Sequence, residues 1–156
     1  MSDSLLLVAS DPPHALAGRE PATAAGVFRL VISAPDAEVR RDPIASKVAI
    51  LAGVIFIFGG LVKFVFHAWE LHAFRTFGLP WPSALEIFAG VLETAGGGLL
   101  ALRLLVAPVS LLLAITMVVA IGASGIGHDD VIPSLTLAPA LLVAMLYLLA
   151  RVLRPG

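Results

Sequence analysis

Two carboxylates and one ammonium group lie inside long apolar stretches of this chain, where charged side chains are rare and costly. Glu86 and Glu93 are seven residues apart in the apolar run that follows Pro82. Seven residues are close to two helical turns, so both carboxylates share one helix face and lie roughly 10 Å apart along its axis. Lys63 lies near the end of the preceding apolar run. We expect Lys63, Glu86 and Glu93 to form a ligand-binding site where the two runs meet.

Lys63 has two candidate partners. Lys63 follows Lys47 by 16 residues, so it lies about 24 Å along the first helix from its cytoplasmic end. On an antiparallel second helix, Glu86 lies at the same distance from the cytoplasmic side. Glu86 is therefore the simpler partner. Side chains lean toward the N-terminus of their own helix, however, so a strained contact between Lys63 and Glu93 stays open. In the alternative interpretation, Lys63 extends to the membrane interface and water solvates Glu86.

Glu93 is the residue for which we expect a functional role. A carboxyl group near the centre of a bilayer has to be paired, protonated, or placed beside water or a ligand. Such a group suits proton exchange, although many buried acids only fasten helices together. The sequence identifies no catalytic residue.

Glycines accompany these charges on the same helices. Without side chains, they allow a neighbouring helix to approach closely. The triplet 96–98 is not a phosphate-binding loop, because no strand precedes it and no Gly-Lys-Ser/Thr follows it. The glycines that we expect to pack helices together are Gly59, Gly60, Gly90, Gly96 and Gly97.

A metal site is the weaker interpretation of the polar residues that follow the first run. His67 and Glu70 are one helical turn apart, but His72 lies on the opposite side of such a helix. The polar segment 128–130 could complete a site, yet solvated interface segments are the more common explanation. We expect no metal ligands. The chain has no cysteine, which excludes disulfides, thiolate metal sites and iron–sulfur clusters within it.

The composition is that of an integral membrane protein. Of 156 residues, 59% are apolar and 13% are charged, and the mean hydropathy is +1.00. Soluble domains are less apolar and carry more charge. Membrane lipid is therefore an expected partner. The net charge is −1 and the basic residues are scattered, so nucleic acid is not an expected partner.

The apolar runs predict an all-α fold, a four-helix transmembrane bundle with up-down-up-down topology. Prolines and mixed charges mark residues 1–45 as a polar, disordered cytoplasmic tail, and we expect deletion through Ala37 to leave the bundle folded. The predicted transmembrane domain covers 46–156, with helices at about 48–66, 84–102, 105–123 and 132–152. The side with the tail, Arg103 and the C-terminus carries eight of the ten Lys and Arg residues. The positive-inside rule then places both termini in the cytoplasm.

The order of several short motifs resembles the DoxX family of small prokaryotic membrane proteins. The resemblance extends over about 48–123, roughly half the chain. It implies a four-helix membrane bundle in a prokaryotic plasma membrane. Lys63 and Glu93 match the family pattern, whereas Glu86 is a feature of this chain. The motifs are Gly59-Gly60 followed by Lys63, then Gly78-Leu79-Pro80, then Glu93 with Gly96 and Gly97.

Some relatives in that family are membrane subunits of quinone-linked thiosulfate oxidation or oxidative-stress assemblies. The resemblance therefore implies an accessory membrane subunit of a redox complex, not catalytic on its own, with quinone as its candidate cofactor and a soluble redox protein as its partner. The sequence also allows a homo-oligomer. The alternatives are a small proton-coupled transporter or small-molecule-binding membrane protein in which Glu93 titrates, and a structural scaffold.

Overall fold

A computed structural model describes residues 36–127 and 135–154, and the regular structure there is entirely helical. A helical segment at 36–41 comes first. A π-helical segment, Ile121–Ile126, continues the fourth α-helix. The all-α class is thus confirmed for the described residues. The α-helices are α1 (Pro43–Val65), α2 (His67–Thr76), α3 (Pro82–Ala101), α4 (Val106–Ala120) and α5 (Leu137–Leu153).

Three helices are long and apolar enough to cross a membrane. They are α1 with 23 residues, α3 with 20, and α4 together with its π-helical extension with 21. Helix α5 is apolar but shorter, at 17 residues. Large apolar side chains such as Leu51, Phe58 and Val143 are exposed, with Phe58 at 67%. Such a surface suits hydrocarbon rather than water, which agrees with an integral membrane protein.

Helix α1 begins at Pro43, five residues before the predicted start at 48. The Asp42 carboxylate caps it by accepting hydrogen bonds from the backbone N–H groups of Ile44, at 2.8 Å, and Ala45, at 3.2 Å. The N–H of Ala45 lowers the pKa of Asp42 against an opposing effect of burial, and the N–H of Ile44 and the guanidinium of Arg151 lower it further. A proline at the first position completes a favourable N-terminus.

Helices α3 and α4 begin closer to the residues predicted from the sequence. The span predicted at 84–102 is α3, which begins two residues earlier. The span predicted at 105–123 begins at Val106 and changes from α- to π-helix after Ala120. For the span predicted at 132–152, the described part is α5, since residues 128–134 lie outside the description.

The predicted disordered tail is wrong for residues 36–45, because 36–41 and 43–45 are helical and several of these side chains are buried. Asp36 is 7% exposed. Its two carboxylate oxygens accept hydrogen bonds from the backbone N–H groups of Leu105 and Val106, both at 2.8 Å. Deletion through Ala37 would remove this contact, so we no longer expect that deletion to be harmless. The rest of the predicted tail, residues 1–35, lies outside the described residues.

Asp36 stabilises a turn that is otherwise unfavourable. Between α3 and α4, Arg103 and Leu105 have positive φ angles of 57° and 52°, and left-handed backbone costs a non-glycine residue about 1–2 kcal/mol. Arg40 donates to the carbonyl oxygen of Arg103 from Nε at 3.3 Å and from Nη2 at 3.2 Å. The segment before α1 therefore holds the α3–α4 turn in place.

Helices α1 and α3 share the largest interface, and α4 and α5 share the next largest. An ion pair between Arg151 and Asp42 brings the end of α5 to the start of α1. We call this the basic end, defined by Arg40, Arg41, Lys47, Arg103 and Arg151. The opposite end is the aromatic end, defined by Trp69, Phe74, Phe77 and Trp81.

Buried apolar side chains from the helical segment 36–41 and from α1, α3, α4 and α5 form one core: Val39, Ala45, Ala49, Ala52, Phe56, Leu100, Val106, Val109, Leu113, Ala114, Met117, Ala138, Leu141, Met145 and Leu148.

Candidate functional site

The backbones of α1 and α3 are in direct contact, and glycines make this possible. A Cβ atom on Gly53 would lie 2.6 Å from the carbonyl oxygen of Gly97, and one on Gly97 would lie 2.6 Å from that of Gly53. Nearer the aromatic end, a Cβ on Gly60 would lie 2.7 Å from the carbonyl oxygen of Gly90. The two helices therefore run in opposite directions, in a register that is set by these two contacts.

The glycines expected to pack helices have different surroundings. Gly60 and Gly97 are at the α1–α3 backbone contact, as is Gly53, which the sequence analysis did not single out. A Cβ on Gly90 would meet the Phe64 ring at 3.0 Å, and one on Gly96 would meet side chains of α4 at an ordinary 3.5 Å. A Cβ on Gly59 would meet only Glu93 Oε2, at 3.6 Å. Gly59 therefore adjoins the carboxylate rather than a helix backbone.

Lys63 forms an ion pair with Glu93 across this interface. Nζ of Lys63 donates to Oε2 of Glu93 at 2.8 Å, and the two side chains are 17% and 8% exposed. The interpretation of Glu86 as the simpler partner of Lys63 is wrong, because the carboxylate of Glu86 instead contacts His67. The three residues predicted to form one site thus belong to two separate pairs.

The direction of side chains along a helix explains both pairs. A Cβ on Gly90 would lie 3.4 Å from the Cβ of Lys63, so the backbone of Lys63 lies between the levels of Glu86 and Glu93. Each side chain then leans toward the N-terminus of its own helix. Lys63 leans away from the aromatic end and reaches Glu93, whose side chain leans the other way. Glu86 also leans toward the aromatic end, and so it reaches His67 rather than Lys63.

The second pair joins α2 to α3. His67 is the first residue of α2, directly after the bend at Phe66. Its Nδ1 lies 3.0 Å from Oε1 and 2.9 Å from Oε2 of Glu86. The His67 side chain is 49% exposed, whereas that of Glu86 is 0% exposed. The sequence predicts a solvated or metal-binding role for His67 and does not predict this pair, although His67 follows Lys63 by one helical turn.

Two hydroxyl groups near the helix interfaces are buried without a hydrogen-bond partner in the described part of the chain, those of Thr94 and Ser110. Thr94 directly follows Glu93. In the same part of the chain, no three His, Asp or Glu side chains are arranged to hold a metal ion. Helix α3 thus forms one acid–base pair with α1 and one with α2, and Thr94 adds a hydroxyl without a partner among the described residues. These groups can donate and accept hydrogen bonds and transfer protons.

Comparison with known proteins adds the family. The DoxX family model matches residues 49–128, which include α3, α4 and all but the first turns of α1. The matched region contains Lys63, His67, Glu86 and Glu93. No curated protein and no solved structure matches the chain. Because the matched residues make up slightly more than half of the 156, this integral membrane protein belongs to the DoxX family.

Proposed function

We propose that this protein is an accessory membrane subunit of a redox complex and that it binds the headgroup of a quinone beside Lys63 and Glu93. The observation that carries the proposal is the ion pair between these residues, which links two helices able to span a membrane. Charged groups in such helices are retained where they serve a ligand, a proton path or a helix contact.

The chemistry of the pair suits a carbonyl-bearing ring. An ammonium group has three donors, and Nζ of Lys63 has one hydrogen-bond acceptor among the described residues, Glu93 Oε2. A quinone oxygen can accept a second hydrogen bond from Nζ. The Thr94 hydroxyl, buried without a partner in the described structure, is a further polar group in the turn that carries Glu93. The carboxylate itself can take up or release the proton that accompanies quinone reduction.

A redox role requires a partner that supplies electrons. The chain has no cysteine, so a soluble protein with reactive thiols, flavin or metal would have to provide them. The basic end, with Arg40, Arg41 and Arg103, offers positive charge for docking such a protein. Purification in mild detergent, followed by identification of bound proteins and lipids, tests both the partner and a homo-oligomer.

The second candidate is a small proton-coupled carrier. The observation that favours it is the presence of two acid–base pairs, Lys63–Glu93 and His67–Glu86, on the same face of α3. A carrier would act alone in liposomes, whereas an accessory subunit would need its partner. A scaffold would need neither a ligand nor a proton.

We expect Glu93→Gln to weaken binding of a short-chain quinone to the purified protein by at least about tenfold, because the amide forms a weaker hydrogen bond with Lys63 than the carboxylate does. Glu93→Leu alone should also lower stability, since it leaves the Lys63 ammonium unpaired, at a cost of about 3–5 kcal/mol for a buried pair. Isothermal titration with the quinone and thermal unfolding in detergent measure the two effects.

The double variant Lys63→Met/Glu93→Leu separates binding from folding. Replacing both partners by apolar groups is often nearly neutral for stability, so the double variant should stay folded and still lose quinone binding. Gly98→Ala is the matched control on the same helix, because no atom lies within 4 Å of the added Cβ. Undiminished quinone binding by the folded double variant would show that Lys63 and Glu93 do not bind the quinone.

We also propose that the helices form an up-down-up-down bundle in a prokaryotic plasma membrane, with both termini in the cytoplasm. Five basic residues cluster at the basic end, which supports this orientation. Because the chain has no native cysteine, single cysteines report topology directly. Ala37→Cys should resist a membrane-impermeant maleimide in intact cells, and Thr76→Cys should react. Labelling of both, or of Ala37→Cys alone, would reject the orientation.

A further inference from the structure

We propose that His67 and Glu86 form a proton-binding site that opens to the aromatic end and controls the docking of α2 onto α3. The site is separate from the Lys63–Glu93 pair and does not depend on quinone binding. It rests on one geometric fact. A fully buried carboxylate has a half-exposed imidazole as its partner, with Nδ1 within 3.0 Å of both carboxylate oxygens.

Burial limits the charge states that this pair can adopt. With one shared proton, the pair is either imidazolium and carboxylate or imidazole and carboxylic acid, and it is net neutral in both forms. Loss of that proton leaves a carboxylate that is 0% exposed opposite a neutral ring. An uncompensated buried charge is costly. No other side chain in the described part of the protein donates a hydrogen bond to Glu86.

Access to the site is one-sided. Glu86 has no contact with solvent, so its proton has to be exchanged through the exposed ring of His67. Other charged or titratable groups lie on the helices that pack around the pair. Lys63 of α1 is paired with Glu93 of α3, and α2 carries Glu70, His72 and Arg75. Of these, His72 is the second imidazole, and it is exposed. A proton that reaches Glu86 therefore comes from the aqueous phase at the aromatic end.

The pair also couples the proton to a helix position. Helix α2 has no buried residue of its own, and the bond to Glu86 joins its first residue to α3. A hydrogen bond between charged partners is stronger than one with a neutral donor. Loss of the shared proton should therefore loosen the first turn of α2.

The two tryptophans of the chain serve as native probes, since Trp69 follows His67 by two residues in α2 and Trp81 precedes Glu86 by five residues at the start of α3. In the purified full-length protein, their emission should change when the pH is raised far enough to remove the shared proton. His67→Gln and Glu86→Gln should each abolish that pH-dependent change, and His72→Gln should preserve it. A wild-type pH response in His67→Gln, or its loss in His72→Gln, would overturn the proposal.

Hydrogen exchange of the wild-type protein provides a test that needs no variant. After correction for the intrinsic effect of pH, the amides of α2 should exchange about tenfold faster at high pH than at low pH, because a charge-assisted bond is lost. The amides of α4 are the internal reference and should not change. Equal behaviour of α2 and α4 would contradict the proposed control of docking.

Discussion

Gly97→Ala is expected to separate α1 from α3 and to lower the free energy of unfolding by about 3 kcal/mol or more, at the upper end of overpacking effects. The added Cβ would lie 2.6 Å from the carbonyl oxygen of Gly53 and 2.9 Å from the backbone nitrogen of Ile57. Backbone atoms cannot rotate out of the way as side chains can, so the helices have to move apart. Thermal or denaturant unfolding in detergent measures the loss.

Gly98→Ala is the matched control for this variant. The residue is adjacent in α3, and no atom lies within 4 Å of its added Cβ. Because alanine has a higher helix propensity than glycine, the control should be neutral or stabilising by up to about 1 kcal/mol. Similar destabilisation by both variants would show that the α1–α3 backbone contact has no special importance.

The second large effect is expected at the basic end. Asp36→Ala should destabilise the protein by about 2–3 kcal/mol, because it leaves two backbone N–H groups at the start of α4 without their acceptor. These groups belong to Leu105 and Val106, and Val106 is fully buried, so water cannot replace the carboxylate there. The loss is measured by unfolding of the full-length protein in detergent.

Two further substitutions make this test specific. Asp36→Asn keeps one acceptor oxygen and should lose about half as much stability, since one of two hydrogen bonds can remain. Glu38→Ala is the control, because its side chain, two residues away, makes no hydrogen bond or ion pair within the described structure. If Asp36→Ala unfolds like Glu38→Ala, the cap does not stabilise the turn.

The helices were predictable because their signal is local. Apolar runs of the required length mark α1, α3 and α4, and each was placed to within a few residues except at the start of α1. There, Asp42 and Pro43 form a standard helix start, which the polar appearance of residues 36–45 concealed. The role of Asp36 has no local signal, since its partners are 69 and 70 residues away.

The pairing of the charged residues was only half predictable. The estimated depth along the helices places Lys63 level with Glu86, whereas the structure places it beside Gly90, between the two carboxylates. The partner is chosen by the lean of the side chains, which is a general property of helices, together with the register of α1 on α3. The register depends on contacts such as Gly53 with Gly97, and these require the structure. The pairing of His67 with Glu86 could have been predicted from the sequence, because the side chain of Glu86 also leans toward the N-terminus of its own helix.

The interlocked glycine backbones also restrict how this protein can move. Helices in backbone contact at two points cannot slide or roll against each other without a clash, so α1 and α3 behave as one rigid body. Their contacts with α4 and α5 are less extensive than the contacts within each pair. Apart from the proposed movement of α2, a conformational cycle for ligand entry or transport would therefore displace α4 and α5 relative to the α1–α3 unit.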